Sequence, residues 1–318
     1  APVPRRCRGV LRIREAADTM TRMSGIAELE QSLTPPAMGR IAAFLFYGNL
    51  PVGGIAVCFM LGTYALLRLQ PDVPLLLLAF FGTFLVYQFE RALHPSPEDA
   101  FNHPARLAWS ARHRRYVWIS SVVALAGALA TLPFLRPATL GVGAALGVLS
   151  GFYMLPVGAG RRRLKSIWYL KPLTIAGAWA VGGVVLPVIE AGTPVTLAVV
   201  AFLGYRLLFV LPNALLADWP DRYGDAQVGL STFATRYDLT RIQQWIGGVL
   251  FVGFCGGVGV LVEGSASWLL GVDLLGLGLM AILTLRPLPH SRWFFGFVLD
   301  AIVAWPIVTA ACAWGTAG

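Results

Sequence analysis

Long apolar runs follow one another along the chain from residue 41 almost to its end, separated by short charged or Pro/Gly-rich breaks. Each run approaches the roughly 20 residues that a helix needs to cross a bilayer. The runs are continuous and do not alternate as barrel strands do, and an open sheet would leave backbone groups unpaired in lipid. The pattern therefore predicts an all-α, polytopic membrane protein with nine transmembrane helices in a single bundle. The predicted helices lie near 41–69, 73–90, 116–133, 138–157, 169–189, 194–217, 242–262, 267–285 and 295–315.

The composition agrees with a membrane environment. Of 318 residues, 57% are hydrophobic and 13% are charged, and the mean hydropathy is +0.68. These values exclude an ordinary soluble globular domain. A net charge of +9 and a pI of about 9.8 are compatible with nucleic-acid binding, but the basic residues lie beside helix ends, where anionic lipid headgroups attract them. We therefore expect membrane lipids, and no nucleic acid, as partners of these charges.

The distribution of Lys and Arg predicts the orientation in the membrane. All but three of the 25 Lys and Arg residues precede the first helix or follow helices two, four, six and eight. The exceptions are Arg68, Arg136 and Arg206. The positive-inside rule then places the N-terminus in the cytoplasm and the C-terminus outside. We predict a multi-pass protein of the cell inner membrane.

The N-terminal segment is basic. Its first 22 residues lack the apolar core of a signal peptide. They are interpreted as a flexible cytosolic tail or as an overlong translation that precedes a start at Met20 or Met23. We predict a basic cytosolic tail over residues 1–40 and one transmembrane domain over residues 41–318.

The charged loops alternate in character along the chain. The loop after helix two carries Glu90, Glu98 and Asp99, and the loop after helix six is acidic again over 218–225. The loops after helices four and eight are basic, with the sequences RRRLK and RPLPHSR. This layout predicts two pseudo-repeated four-helix halves whose acidic loops converge on one cavity, with the Arg161–Lys165 run closing its cytoplasmic mouth. Coincidence combined with the positive-inside rule is the alternative.

The strongest local signal is the segment 217–237, ADWPDRYGDAQVGLSTFATRY. If helix six continues through it, Asp218, Asp221 and Asp225 lie at i, i+3 and i+7 on one face. Clustered carboxylates repel one another unless a cation lies between them. An all-oxygen set suits Mg²⁺, which commonly bridges to substrate phosphates. The sequence thus predicts a Mg²⁺ site for a diphosphate, with a solvated loop of helix-capping aspartates as the alternative.

This segment resembles the second aspartate-rich motif of the UbiA-type intramembrane prenyltransferases, which reads approximately DxxDxxGDxxxGxxT. Residues 218–232 read DWPDRYGDAQVGLST and match at the three aspartates, Gly224, Gly229 and Thr232. The segment 151–171, GFYMLPVGAGRRRLKSIWYLK, also resembles the family at the end of helix four. The resemblance covers roughly positions 40–315. It implies transfer of a prenyl group from a prenyl diphosphate to a lipid-soluble acceptor, an aromatic compound or quinone precursor.

The family mechanism implies roles for individual residues. Mg²⁺ bridges aspartates to the diphosphate, basic side chains neutralise the leaving group, and the allylic carbocation is attacked by the acceptor. The implied metal ligands are Asp218, Asp221, Asp225 and Glu90. The implied catalytic residues are Glu90, Asp221 and Tyr153, whose ring would stabilise the cation. The predicted substrate-binding residues are Arg91, Arg106, Arg163, Lys165, Lys171, Arg206 and Asn213.

The first acidic motif departs from the family, where it reads near NDxxDxxxD at the end of helix two. Its best superposition is the segment 86–94, VYQFERALH. The Asn and the three acids are replaced by Val86, Tyr87, Glu90 and His94. Only one acid survives. One hypothesis is that Glu98 and Asp99 fold back to supply the missing ligands, with Asn102 and Arg106 assisting.

Arg206 and Asn213 lie inside helix six. A charge such as that of Arg206 costs roughly 2.5–3.5 kcal/mol near mid-membrane on insertion scales. Arg206 should therefore face a cavity or a polar partner, in a substrate-binding or a buried structural role. Asn213 is interpreted as a substrate contact or as a helix–helix contact. His94, His103 and His113 lack the spacing of a zinc site and are interpreted as loop histidines.

Three classes of function remain. A prenyltransferase is favoured by the well-kept 218–225 motif. A catalytically silent relative, which binds an isoprenoid or associates with other membrane proteins as an assembly subunit, is favoured by the depleted first motif. A transporter is disfavoured because it should show broken, polar helices near mid-membrane in both halves.

Overall fold

The computed structural model describes residues 40–93, 96–155, 164–263, 267–289 and 291–316, and all regular structure in these ranges is helical. In chain order the apolar helices are α1 (Leu50–Leu66), α2 (Val73–Leu93), α3 (Arg114–Phe134), α4 (Pro137–Met154), α5 (Leu170–Glu190), α6 (Leu197–Leu216), α7 (Leu239–Val262), α8 (Leu269–Thr284) and α9 (Phe294–Gly315). Seven of them are long and apolar enough to span a membrane, whereas α1 and α8 are shorter. The protein is an integral membrane protein, and the count of nine spans stays a prediction.

Local sequence signals set several helix starts. Asp72 Oδ1 accepts a hydrogen bond of 2.8 Å from the backbone N–H of Leu75, and a proline occupies the first turn of α2. Asp238 caps α7 in the same way, with 2.7 Å to the backbone N–H of Arg241. A carboxylate at this position satisfies a backbone donor that has no partner within the helix.

The predicted first helix, 41–69, is interrupted. The helix Arg40–Tyr47 and α1 are separate because Asn49 adopts a φ of 60°. Asn tolerates this left-handed conformation better than most residues. Its side-chain Nδ2 donates to Gln88 Oε1 on α2 at 2.8 Å, which fixes the break inside the protein. The prediction of one continuous helix was wrong at this point.

Helix six also ends earlier than the predicted arrangement of aspartates requires. α6 ends at Leu216, residues 217–221 form turns, and a new helix spans Arg222–Gln227. Pro220 has no N–H to continue a helical ladder, and its ring clashes with the preceding turn. The three aspartates therefore do not share a face of one continuous helix.

The helices pack side by side in a bundle, and apolar side chains remain exposed on its outer faces. α1 packs against α2 and α9, and α6 packs against α5 and α7. The largest buried cluster joins α6 to α9 through residues such as Phe209, Ile246 and Leu277. On outer faces, Ile119 is 63% exposed and Phe251 is 69% exposed. A large exposed apolar surface suits contact with lipid.

Three helices contain a π-helical segment: Phe89–Leu93 in α2, Val181–Val185 in α5 and Phe294–Val298 in α9. Such segments shift the register of the following side chains and occur frequently at functional sites. Here the first contains Glu90, and the third is followed immediately by Leu299 and Asp300.

Candidate functional site

A cavity of about 270 Å³ lies among α1, α2, α4, α5, α6 and α9. Its acidic and basic lining consists of Glu90, Glu98, Asp99, Asp218, Asp221, Asp225, Asp300, Arg91, His103, Arg106, Lys165 and Lys171. Most of these residues lie at helix ends or in loops. Its apolar lining comes from inside the helices and includes Val52, Ile55, Ile175, Trp179, Val210 and Val303. The two acidic loops therefore converge on one cavity, as predicted.

Two aspartates of the second acidic motif are paired with cations. Lys171 Nζ donates to Asp218 Oδ1. Arg292 Nη1 donates to Asp221 Oδ1 at 2.9 Å, and His103 Nε2 lies 3.1 Å from Asp221 Oδ2. Burial raises the pKa of Asp218, and Lys171 offsets this only in part. Burial would also raise the pKa of Asp221, but His103 and Arg292 outweigh it and hold the pKa well below its usual value.

Asp225 is paired less completely. Asn102 Nδ2 donates to its Oδ1 at 2.9 Å. Its Oδ2 is buried and has no hydrogen-bond partner among the described residues. Burial raises the pKa of Asp225 to about 7; Lys171 opposes this shift, and Asp218 and Asp221 add to it. Desolvation and like charge together disfavour the anion unless a cation is bound.

Gly224 allows the first acidic loop to approach the aspartates. A Cβ at this position would lie 2.0 Å from Asn102 Oδ1 and 2.9 Å from Phe101 Cβ. Asn102 is the residue that donates to Asp225. Close packing therefore explains the glycine at this position of the motif, because any side chain would separate the loop from the aspartates.

The first acidic loop folds back over the cavity. Lys165 Nζ lies 3.5 Å from Glu90 Oε1 and 3.0 Å from Glu98 Oε1. Arg106 Nη2 donates to Asp99 Oδ1 at 2.8 Å. The structure thus brings these acids to the cavity, as the hypothesis of a returning loop requires. Since each already faces a cation, their role as metal ligands stays a prediction.

The other predicted site residues in the cavity are Tyr153, Arg91 and Asn213. Arg91 also lies over the Tyr87 ring, with its Cζ 4.6 Å from the ring centroid. Arg163 lies outside the described residues, together with His94 and the rest of the segment 156–163.

Arg206 does not line the cavity. It is fully buried, and its Nη1 donates to Asp273 Oδ2 on α8 at 2.8 Å. The rings of Phe59 and Phe202 lie 5.0 Å from its guanidinium carbon. The structure therefore replaces the substrate-binding assignment of Arg206 with the buried structural alternative, because a charge inside lipid requires a partner.

Three residues at or beside the cavity were missed by the sequence analysis: His103 and Asp300 line it, and Arg292 contacts one of its carboxylates. His103 lacks the spacing of a metal ligand, yet it contacts Asp221. Arg292 reaches the same carboxylate from a loop distant in sequence, and no local pattern indicates this contact. Asp300 accepts a hydrogen bond from Asn213 Nδ2 at 2.9 Å. An acid inside an apolar run is itself a functional signal, and it could have identified Asp300.

The described residues fit a metal ion that is shared with a phosphate. In these ranges no three His, Cys, Asp or Glu side chains converge closely enough to hold a metal by themselves. Mg²⁺ bound with substrate phosphates needs only one or two carboxylates from the protein. Asp225, with its unpartnered Oδ2, and its neighbours Asp218 and Asp221 supply such oxygens. The described residues do not form a complete metal site from protein ligands alone.

Solved structures share the fold of this chain, whereas no protein-family model and no curated protein sequence matches it. A UbiA homologue from Archaeoglobus fulgidus bound to GPP and Mg²⁺ is 16% identical, with a TM-score of 0.57 over 85% of this chain and 99% of the homologue. A UbiA homologue from Archaeoglobus fulgidus bound to Cd²⁺ is also 16% identical, with a TM-score of 0.54 over 85% of this chain and 99% of the homologue.

A structure described for digeranylgeranylglyceryl phosphate synthase in membranes is similar as well. It is 14% identical, with a TM-score of 0.53 over 85% of this chain and 96% of the other. At such identities the comparison shows the fold. This chain therefore has the fold of the UbiA-type intramembrane prenyltransferases.

Proposed function

We propose that this chain is a divergent member of the UbiA superfamily and transfers a prenyl group from a prenyl diphosphate to a lipid-soluble acceptor, with Mg²⁺. The observation that carries the proposal is the cavity, in which acidic and basic side chains meet apolar helix walls. Structures of a UbiA homologue from Archaeoglobus fulgidus, which has a similar fold, are bound to GPP and Mg²⁺ or to DMAPP and Mg²⁺. These ligands support this choice of substrate.

The charged end of the cavity is proposed to bind the diphosphate. Lys165, Lys171 and Arg106 each face a cavity carboxylate, and in the proposed complex they neutralise the charge of the leaving group. Arg91 and Arg163 extend this basic set. The proposed metal ligands are Asp218, Asp221, Asp225 and Glu90. When bound, Mg²⁺ withdraws negative charge from the departing diphosphate.

The apolar part of the cavity is proposed to hold the isoprenoid chain and the acceptor. Ile55, Ile175 and Val210 present hydrocarbon surface there and exclude water, which would otherwise quench a carbocation. Tyr153 lies on the same wall. Its ring face attracts positive charge, so it stabilises the allylic cation as the C–O bond breaks.

The membrane arrangement is part of the proposal. Nine helices in two related four-helix halves span the cell inner membrane, with the tail 1–40 in the cytoplasm, the domain 41–318 in the bilayer and the C-terminus outside. A reporter fused to the C-terminus tests it. Activity of an export-dependent reporter supports this topology, whereas activity of a cytoplasmic reporter contradicts it.

A catalytically silent relative is the second candidate function. Glu90 is the one acid left in the first motif, and Lys165 pairs with both Glu90 and Glu98. A site whose carboxylates already face cations suits an isoprenoid-binding protein or an assembly subunit of a membrane complex as well as it suits an enzyme.

One assay separates the two candidates. Purified protein is incubated with Mg²⁺, prenyl diphosphates of several lengths and membrane lipid extract, and diphosphate release is followed. A prenyltransferase releases diphosphate, EDTA abolishes the release, and Asp225→Asn lowers it by about 100-fold or more. The matched control Asp238→Asn removes an exposed acid that caps α7, and it retains activity because Asn caps equally well. A silent relative binds prenyl diphosphate without releasing diphosphate, and absence of both contradicts both candidates.

A further inference from the structure

Asp273 lies inside α8 and Asp300 lies inside α9, and the surroundings of these two acids differ. Asp273 is fully buried and receives hydrogen bonds from Arg206 at 2.8 Å, Tyr205 Oη at 2.8 Å and Thr309 Oγ1 at 3.1 Å. Its charge is matched, so its presence in α8 is explained by helix packing. Asp300 has no such explanation.

Asp300 has a single neutral partner in the described part of the chain. Asn213 Nδ2 donates to its Oδ1 at 2.9 Å, and no ion pair to Asp300 occurs among the described residues. An acid on a membrane helix is costly to insert and is by default a functional residue. Helix packing alone therefore does not account for Asp300.

The position of this pair in the cavity suggests its ligand. Asn213 lies three residues before α6 ends at Leu216, which places it roughly 4.5 Å inside the helix at 1.5 Å per residue. The pair therefore lies beyond the charged end. Tyr87, Trp179 and Val303 line the same cavity and provide apolar and aromatic surface.

We propose that Asp300, oriented by Asn213, is the residue that selects the acceptor, and that it does so by accepting a hydrogen bond from a hydroxyl group of a neutral, lipid-soluble molecule. This inference rests on the proposed function. A carboxylate only accepts hydrogen bonds, and Asn213 occupies Oδ1, so the ligand must bring a donor to the other oxygen.

The charges of the cavity restrict the acceptor further. Arg91, Arg106 and Lys171 line the same space and repel a cationic ligand. An anionic ligand would be repelled by the carboxylate of Asp300 itself. A neutral hydroxyl satisfies the carboxylate without adding charge, and such a charge-assisted O–H···O⁻ bond is stronger than a bond between neutral groups.

The test uses two probes that differ only in the donor, 4-nonylphenol and its methyl ether, 4-nonylanisole. Their dissociation constants are measured by quenching of tryptophan fluorescence in the full-length protein in detergent. A hydrogen bond to a charged group contributes about 1.5–3 kcal/mol, so the phenol should bind at least about tenfold more tightly than the ether. Asp300→Leu should bring the ratio close to one, and the control Asp238→Asn should leave it unchanged.

A conservative variant guards against misfolding. Asp300→Asn keeps the shape and one acceptor oxygen, so it should retain a smaller preference for the phenol. Equal binding of both probes by the parent protein, binding of neither, or a preference that survives in Asp300→Leu overturns the inference.

A different result would contradict the proposed function. That function is wrong if the parent protein neither binds nor turns over prenyl diphosphates, whatever the ratio of the dissociation constants of the two probes. Where the parent releases diphosphate, Asp300→Leu should raise the KM for a hydroxyl acceptor at least about tenfold and leave the Kd of prenyl diphosphate unchanged. An unchanged acceptor KM would again overturn the role of Asp300.

Discussion

Two buried carboxylates in this bundle, Asp273 and Asp225, differ in how completely their oxygens are hydrogen-bonded. In the ion pair between α6 and α8, Asp273 accepts hydrogen bonds at both oxygens, from Arg206, Tyr205 and Thr309. The Nε and Nη2 atoms of Arg206 face aromatic rings and have no hydrogen-bond partner among the described residues. In the cavity, Asp225 keeps a buried oxygen that has no partner in the same ranges. A carboxylate that is satisfied inside the protein holds helices together, whereas an incompletely satisfied carboxylate is suited to a ligand.

Breaking the α6–α8 ion pair should have the largest effect. Arg206→Met leaves Asp273 buried without its cation, so we expect the free energy of unfolding to fall by about 3–5 kcal/mol. The measurement is denaturant unfolding in detergent. The double variant Arg206→Met/Asp273→Leu removes both charges and should recover most of this loss. A double variant no more stable than the single one would contradict the pairing.

Removing a cavity cation should affect ligand binding more than folding. Lys171→Gln removes the partner of Asp218 and one proposed diphosphate contact. We expect the Kd of a prenyl diphosphate to rise about 10- to 150-fold, as the loss of a hydrogen bond between charged groups predicts. Equilibrium binding with Mg²⁺ measures it. Arg241→Gln, which removes an exposed cation at the start of α7, should leave the Kd unchanged; equal effects of both would contradict a specific contact.

Separating the two acidic loops should have a smaller effect on stability. Gly224→Ala places a Cβ against Asn102, and overpacking of this kind costs about 1–3 kcal/mol. Because Asn102 also orients Asp225, Mg²⁺-dependent binding should weaken too. Gly147→Ala is the matched control, since a Cβ at Gly147 meets nothing within 4 Å. Unaltered unfolding and binding in Gly224→Ala would show that the loop is free to move away.

The sequence predicts the helices well because the backbone groups of each apolar run must form their hydrogen bonds within that run, as lipid offers no partner. It fails at Asn49, where a side-chain bond to Gln88 stabilises a left-handed residue and breaks the predicted helix. It also fails at Pro220, since the chain turns before the helix restarts at Arg222. Both errors arise where backbone geometry overrides hydrophobic pattern.

Local spacing identified part of the site and missed the contacts between distant segments. Asp218, Asp221 and Asp225 lie near one another in sequence, so a motif could indicate them. His103 and Arg292 reach Asp221 from loops that are far away along the chain, and only the fold brings them there. Such contacts follow from the packing of the helices and leave no pattern at one position.

The central claim is that this cavity binds a prenyl diphosphate together with Mg²⁺. The most direct test is calorimetric binding of a non-hydrolysable prenyl thiodiphosphate to the full-length protein, with Mg²⁺ or with EDTA. We predict a Kd at least about tenfold lower with Mg²⁺, a difference that Asp221→Asn removes and Asp238→Asn preserves. The same Kd with Mg²⁺ and with EDTA, or a Mg²⁺ effect that persists in Asp221→Asn, would contradict the claim.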